Sequence, residues 1–229
     1  MLSRFTIYGE RCSGTNFLEE SILCNFEAEL TWDFGFKHYF GHSLEYNDSE
    51  DCLFLCIVRE GYSWINSLRK NPHHLEPSMN KDNDTFLSKE VMSLDDDKNK
   101  NRMKEDRNWK TKEPFKNIFE LRQIKTEYML DVLPQKVRHS LFFRYEDLCT
   151  DFQREMNRVA LYLHPKKHVV LSSHLFFSPS WYKKVYTESH KKDEKDKKDE
   201  KMIISEDEFY LHPNYQIIQE QERRLGYIL

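Results

Sequence analysis

The sequence predicts an α/β fold, a three-layer sandwich in which helices flank a central, mainly parallel sheet. Residues 5–8, 52–58 and 140–145 are short apolar runs suited to strands, and each precedes apolar residues at helical spacing. Strands that alternate with helices favour a parallel sheet with right-handed crossovers. The chain of 229 residues is predicted to form one domain, 1–229.

The first unit is a strand, a small-residue loop and a helix. The strand 5–8 runs into Gly9, and a polar stretch leads to a helix that begins at about Thr15. Leu18, Ile22 and Phe26 form the apolar stripe of this helix. A second short strand is predicted within residues 28–32.

The run CLFLCIV, residues 52–58, is apolar throughout, which is typical of a central parallel strand covered on both faces. Arg59 follows its carboxyl end. A helix is predicted from about 62 to 70, ended by Pro72.

The second half repeats the alternation of strand and helix. Its predicted elements are a helix at 115–132, the strand 140–145, a helix marked by apolar residues from Leu148 to Leu163, and a helix at about 213–226. Residues 78–113 are charge-dense and predicted to be a mobile, substrate-covering excursion with a short helix near Phe86. Residues 188–201 mix acidic and basic side chains without an apolar stripe, which predicts a disordered charged loop.

Composition excludes several classes of protein. The net charge of -4 argues against a general nucleic-acid binder. The five cysteines are odd in number and lack zinc-site spacing, so reduced thiols are expected. The N-terminus lacks a signal-peptide core and no apolar run reaches membrane-spanning length, which predicts a cytoplasmic protein without a membrane partner.

The loop before the first helix has the composition of an anion site. A helix N-terminus presents unpaired N–H groups and a positive dipole end, and Ser13, Gly14, Thr15 and Asn16 place small or polar side chains there. Arg11 adds a positive charge beside them, and phosphate is the expected guest. Gly9 and Gly14 have the spacing of a nucleoside-triphosphate loop, but Thr15 and Asn16 replace its Lys and Ser/Thr. ATP hydrolysis is therefore not favoured.

A second anion site is predicted at the next strand. Arg59 ends the apolar run where open α/β sheets bind ligands, and Ser67 follows about two helical turns later. A guanidinium and a hydroxyl in this arrangement suit a second phosphate.

These two motifs resemble those of sulfotransferases that use 3′-phosphoadenosine 5′-phosphosulfate (PAPS). ERCSGTNFL is similar to the family's 5′-phosphosulfate loop, and Arg59 with Ser67 resembles its 3′-phosphate motif. FFRYEDL, NIFELRQIKTEYML and RRLGY also resemble bacterial or viral members. The resemblance implies a P-loop NTPase-like sulfotransferase fold, PAPS as donor, adenosine 3′,5′-bisphosphate as product, and no metal. The donor-binding residues that it implies are Arg11, Cys12, Ser13, Gly14, Thr15, Asn16, Arg59 and Ser67.

The chain departs from the family's pattern at two places. Cytosolic members have Lys directly before Ser-Gly-Thr; here Cys12 stands there, which implies that Arg11 takes the cationic role. The family's glycine-rich C-terminal stretch is not recognisable, so adenine contacts are not assigned. Lys183 and Lys184 are candidate replacements, although lysines before a charged run are more often surface residues.

The family's general base is a His, often close to a Lys. Lys37-His38 resembles that pair with the spacing altered by one residue, so His38 is the predicted base and Lys37 its helper on the transferring group. His42 is the second candidate. Glu10 and Glu60 are predicted ion-pair partners of nearby arginines, and Glu146 and Asp147 structural residues.

Two other functions stay open at this point. One is a kinase-like phosphate-transfer enzyme, against which the absent lysine after Gly14 counts. The other is a non-catalytic nucleotide- or partner-binding module, which Cys12 in the lysine position favours. The acceptor of a sulfotransferase is likewise open between a glycan, a small molecule and a protein hydroxyl or amine.

Overall fold

Four parallel strands form the sheet in the computed structural model, which describes residues 1–41, 45–94, 103, 106–166 and 203–228. The strands are β1 (Arg4–Tyr8), β2 (Glu29–Leu30), β3 (Cys52–Val58) and β4 (Ser140–Arg144), in the order β2-β1-β3-β4. The predicted α/β class and parallel sheet are confirmed.

The helices follow the predicted alternation with one difference. They are α1 (Thr15–Asn25), α2 (Gly61–Lys70), α3 (Asn83–Ser88), α4 (Ile118–Glu127), α5 (Leu133–Lys136), α6 (Tyr145–Thr150), α7 (Phe152–Val159), α8 (Glu206–Tyr210) and α9 (Gln216–Arg224). A π turn, Tyr128–Val132, joins α4 to α5. The single helix predicted through Leu148 and Leu163 is wrong: Asp151 ends α6, and its carboxylate accepts from the Arg154 N–H to start α7.

Both faces of the sheet are covered, as the apolar run of β3 predicts. Leu53, Leu55 and Ile57 pack in a core that includes residues of α1 and α7. The alternate residues, Phe54 and Val58 among them, pack against the π turn and α5. Helices on both faces are compatible with a three-layer sandwich.

The order of the strands reverses between β1 and β3. The chain continues from β1 to β2 on one side, whereas β3 continues to β4 on the other. The two central strands pair in register from Arg4 with Cys52 to Tyr8 with Cys56. In open parallel sheets, ligands bind outside the carboxyl ends of the strands at such a reversal.

The segment predicted to be an excursion is partly packed into the core. Phe86, Leu87 and Val91 are buried, and α3 confirms the short helix near Phe86. Residues 95–102, 104 and 105 lie outside the described residues, as do 188–201 with the predicted charged loop.

The turn between β3 and α2 is held by residues near the C-terminus. Glu222 accepts a hydrogen bond from the Gly61 N–H at 3.2 Å. The Tyr227 hydroxyl donates to Glu146 at 2.8 Å, and the other carboxylate oxygen of Glu146 accepts from the Glu60 N–H at 2.9 Å. The strand end that carries Arg59 is therefore fixed from the far end of the chain.

No helix within the described ranges is long and apolar enough to cross a membrane.

Candidate functional site

A cavity of about 820 Å³ opens at the carboxyl ends of β1 and β3. Every predicted site residue except Ser13 lines it, namely Arg11, Cys12, Gly14, Thr15, Asn16, Lys37, His38, Arg59 and Ser67. Ser13 is buried beneath the loop, and its hydroxyl donates to the carbonyl oxygen of Glu10.

The loop after β1 turns tightly into α1. Cys12 and Gly14 adopt left-handed backbone angles, with φ of 62° and 97°. Helix α1 begins after Gly14 without a side-chain cap. Thr15 and Asn16, in its first turn, line the cavity, so the open end of this helix faces the cavity with its unpaired N–H groups.

Gly14 is sterically required at this position. A Cβ atom there would lie 2.4 Å from Cδ2 of Tyr145, and the φ of +97° disfavours any L side chain. The Tyr145 ring lies in turn against the guanidinium of Arg59, whose Cζ is 5.0 Å from the ring centroid. The glycine, the tyrosine and the arginine therefore form one packed wall of the cavity.

We expect Gly14→Ala to destabilise the fold by about 1–3 kcal/mol and to weaken anion binding, because Tyr145 must move and carry Arg59 with it. Gly35→Ala is the matched control, since Gly35 has a similar φ of 94° and does not line the cavity. Urea unfolding and titration with adenosine 3′,5′-bisphosphate measure the two effects. Equal losses of affinity in both variants would contradict this account.

Arg59 is available to a ligand. Its Nε is buried without a hydrogen-bond partner, and within the described chain its guanidinium forms no ion pair with a carboxylate. Its carbonyl oxygen accepts from Arg122 at 2.8 Å, which fixes the backbone. Ser67 and Lys70 follow on α2 and line the same cavity. The N-terminus of α2 is not open, because the Glu60 carboxylate accepts from the Tyr62 and Ser63 N–H groups.

Lys37 and His38 lie directly against the loop. The Gly9 N–H donates to the carbonyl oxygen of Lys37 at 3.0 Å, and His38 Nδ1 lies 2.7 Å from the carbonyl oxygen of Gly9. Lys37 Nζ donates to Asn16 at 2.7 Å and to Glu19 at 2.8 Å. These contacts bring Lys37 and His38, two of the three predicted catalytic residues with Arg11, to the open end of α1. The alternative base, His42, lies outside the described residues.

The geometry assigns the tautomer of His38. A carbonyl oxygen only accepts hydrogen bonds, so Nδ1 carries the proton and Nε2 keeps its lone pair. Burial lowers the pKa of His38 to about 4. The ring is therefore neutral at pH 7 with no proton on Nε2, and the same burial makes it a weaker base than an exposed histidine.

The low pKa of His38 predicts a pH-dependent contribution to stability. Between its ordinary value of 6.5 and about 4, the unfolded chain binds a proton at this ring that the folded protein does not. The free energy of unfolding therefore falls as the pH decreases through this window, and His38→Gln should make that fall smaller. Urea unfolding at pH 7 and pH 4.5 measures it, with His139→Gln as a control distant from the cavity. An unchanged pH dependence in His38→Gln would refute the assignment.

The contacts of Arg11 differ most from its predicted role as the cation that binds the ligand. Its guanidinium is 1% exposed and lies between two carboxylates, Glu10 at 2.9 Å and Asp106 at 2.7 Å, and it donates to Ser93 at 2.6 Å. Its charge is compensated inside the protein by these carboxylates, although its Nε is left without a hydrogen-bond partner, so a phosphate in the cavity would meet a cation that is already paired. Glu10 is thus an ion-pair partner of Arg11, as predicted, whereas Glu60 caps α2 instead.

Among the lining residues that sequence reasoning missed, Tyr145 and Lys70 bear most on the anion sites. Tyr145 lines the cavity and stacks on Arg59, and Lys70 adds a cation one helical turn after Ser67. Both could have been identified from the sequence, because Tyr145 follows the strand of the FFRYEDL motif and Lys70 has helical spacing from Ser67. No aspartate or glutamate is found among the described residues that line the cavity, and Arg59, Lys37 and Lys70 give it a positive character.

Comparisons of the chain with protein-family models, with curated proteins and with solved structures find no match.

Proposed function

We propose that the protein is a PAPS-dependent sulfotransferase with a P-loop NTPase-like, three-layer sulfotransferase fold. The observation that carries the proposal is the opening of two anion sites into one cavity at the reversal of strand order. One is the uncapped N-terminus of α1, and the other is Arg59 with its unpartnered Nε. A donor with phosphate groups at both ends of an adenosine suits such a pair.

The 5′ end of the donor is assigned to α1. The N–H groups of its first turn and the Thr15 hydroxyl are donors to the oxygens of the phosphosulfate. Lys37 lies at the same helix end, where its ammonium donates to Asn16 and pairs with Glu19, which leaves its third N–H for the transferring group. In this proposal Lys37 takes the cationic role that the resemblance implies for Arg11.

The 3′-phosphate is assigned to Arg59 and Ser67. Tyr145 supports the flat face of the guanidinium and so leaves its edge for paired hydrogen bonds to a phosphate. Lys70, one turn further along α2, increases the positive potential at this end.

The chemical step is an in-line displacement at sulfur. An acceptor hydroxyl oxygen forms a bond to sulfur while the bond from sulfur to the 5′-phosphate oxygen breaks, and adenosine 3′,5′-bisphosphate leaves. His38 Nε2 takes the acceptor's proton, because Nδ1 is occupied on Gly9. The helix end and Lys37 stabilise the charge that develops on the leaving phosphate.

A non-catalytic nucleotide-binding module is the second candidate. The compensated charge of Arg11, and Cys12 in the place of the family's lysine, favour it, because both reduce the cationic charge at the loop.

Thermal shift followed by a transfer assay tests these functions. Adenosine 3′,5′-bisphosphate should stabilise the protein more than AMP, which lacks the 3′-phosphate, and more than ATP with Mg²⁺. Labelled PAPS should then transfer sulfate to one of a panel of glycans, phenols and peptides. Stabilisation by bisphosphate without transfer to any acceptor favours the non-catalytic module. Stabilisation by ATP with Mg²⁺ alone would favour the kinase-like function, and no stabilisation by any of the ligands would refute nucleotide binding.

A further inference from the structure

A cluster of four buried charges lies at the anion loop, that is, residues 9–14 between β1 and α1. It comprises Glu10, Arg11, Asp106 and Lys125, whose side chains are each at most 7% exposed. Arg11 bridges Glu10 and Asp106, and Lys125 also contacts both carboxylates, with Asp106 at 2.6 Å. The buried Ser93 hydroxyl contacts Arg11 and Asp106.

The cluster is formally neutral, with two cations and two carboxylates. Removal of one partner from a buried ion pair leaves an uncompensated charge in the protein interior, which is strongly unfavourable. Each member is therefore held in place by the two members of opposite charge.

The cluster joins parts of the chain that are distant in sequence. Glu10 and Arg11 belong to the loop after β1, Lys125 to α4, and Asp106 to the segment between α3 and α4. Asp106 is 95 positions from Arg11, and Lys125 is 115 positions from Glu10. None of these contacts follows from the local sequence.

One contact extends from the cluster to the predicted base. Lys125 Nζ donates to the carbonyl oxygen of His38 at 2.7 Å. The His38 ring is held at its other side by the Gly9 carbonyl oxygen, and the Gly9 N–H holds Lys37. The position of the imidazole is thus set from two directions, by the loop and by Lys125.

We propose that Lys125 and Asp106 are positioning residues, which hold the Lys37-His38 segment against the anion loop through this charge-balanced cluster. The inference rests on the proposed function for the role of His38, but the positioning itself is testable without turnover. The segment between α3 and α4 then contributes to the placement of the base through Asp106.

The double variant Lys125→Met/Asp106→Asn tests the proposal, because it keeps the cluster formally neutral while it removes the donor to His38. Hydrogen exchange at the Gly9 N–H should rise about tenfold or more, while that of a sheet amide such as Leu55 stays unchanged. Lys110→Met is the control, since Lys110 forms an exposed ion pair with Glu127. Unchanged exchange at Gly9, or an equal rise at Gly9 and Leu55, would overturn the proposal.

The single variants test the charge balance through the pKa of His38, followed by NMR. The charged groups that act on the ring are Glu10, Arg11 and Lys125, and Tyr39 packs against it. Lys125→Met should raise this pKa, because it removes a cation that acts on the ring. Asp106→Asn, which removes a carboxylate outside that set, should change it less. An unchanged or lowered pKa of His38 in Lys125→Met would contradict the proposal.

The transfer assay completes the test. In the double variant, kcat should fall about tenfold or more from misplacement of the base, while bisphosphate affinity changes less than about twofold. Full kcat per folded molecule would refute positioning. If the wild-type protein transfers sulfate to no acceptor, the proposed function fails, whereas hydrogen exchange and NMR still decide the positioning.

Discussion

Arg59→Ala is expected to weaken binding of adenosine 3′,5′-bisphosphate by about 1.5–3 kcal/mol, roughly 10- to 150-fold in Kd. The guanidinium is stacked on Tyr145, has an unpartnered Nε and forms no ion pair in the described chain, so its loss removes a charge-assisted contact that the protein does not itself use. Stability should change less than affinity, since no carboxylate is left unpaired. Calorimetric titration measures the affinity.

Two further variants sharpen the Arg59 prediction. Arg59→Lys keeps the charge but loses the planar donor edge, and we expect it to bind with intermediate affinity. Arg224→Ala removes an exposed arginine paired with Asp131 and should leave affinity unchanged. AMP binding should also be nearly unaffected by Arg59→Ala, because AMP lacks the 3′-phosphate. Equal weakening of AMP and bisphosphate would place Arg59 at the wrong end of the donor.

His38→Ala is expected to reduce kcat by about 10²–10⁴-fold while bisphosphate affinity is retained. The physical reason is the loss of Nε2, the lone pair that the Gly9 contact leaves free. His38→Asn is the more selective variant, since its amide N–H can replace Nδ1 on the Gly9 carbonyl but offers no base. Single-turnover transfer from labelled PAPS measures the chemical step.

Controls and pH separate the role of His38 from a structural one. His139→Ala removes a histidine that packs on Tyr162 away from the cavity and should have wild-type kcat. Because the pKa of His38 is about 4 in the free protein, kcat/KM of the wild-type protein should not titrate at this residue between pH 6 and 8. Full turnover in both His38 variants would exclude it as the base and make His42 the next residue to replace.

The fold was predictable because its signals are local. The run CLFLCIV specifies a strand buried on both faces, and Gly9 with Gly14 marks a strand that turns into a helix. The boundaries of α2 follow from Arg59-Glu60 before it and Pro72 after it. The break between α6 and α7 at Asp151 was not predicted, because the apolar stripe from Leu148 to Leu163 continues through it and hides the capping contact.

The charges of the site were less predictable, and Arg11 shows why. Its position beside the anion loop suggests a ligand contact. Instead Arg11 pairs with Asp106, 95 positions away, in a cluster that Lys125 completes by pairing with Glu10 across 115 positions. Arg59 has a similar local context, a cation after a strand end, but its guanidinium forms no ion pair with a carboxylate in the described chain and its Nε has no partner. The difference between the two arginines lies in tertiary partners, which a single sequence does not reveal.

The hydrogen bond from the Gly61 N–H to Glu222, which holds the turn between β3 and α2, has a consequence for the newly made chain. Glu222 lies 161 positions beyond Gly61, so the ribosome adds Glu222 long after the turn that it holds. Domains begin to fold from the N-terminus during translation, and contacts this distant form late. We expect nascent chains that stop before Glu222 to bind bisphosphate poorly, so that affinity for nucleotide is acquired only after Glu222 has been made.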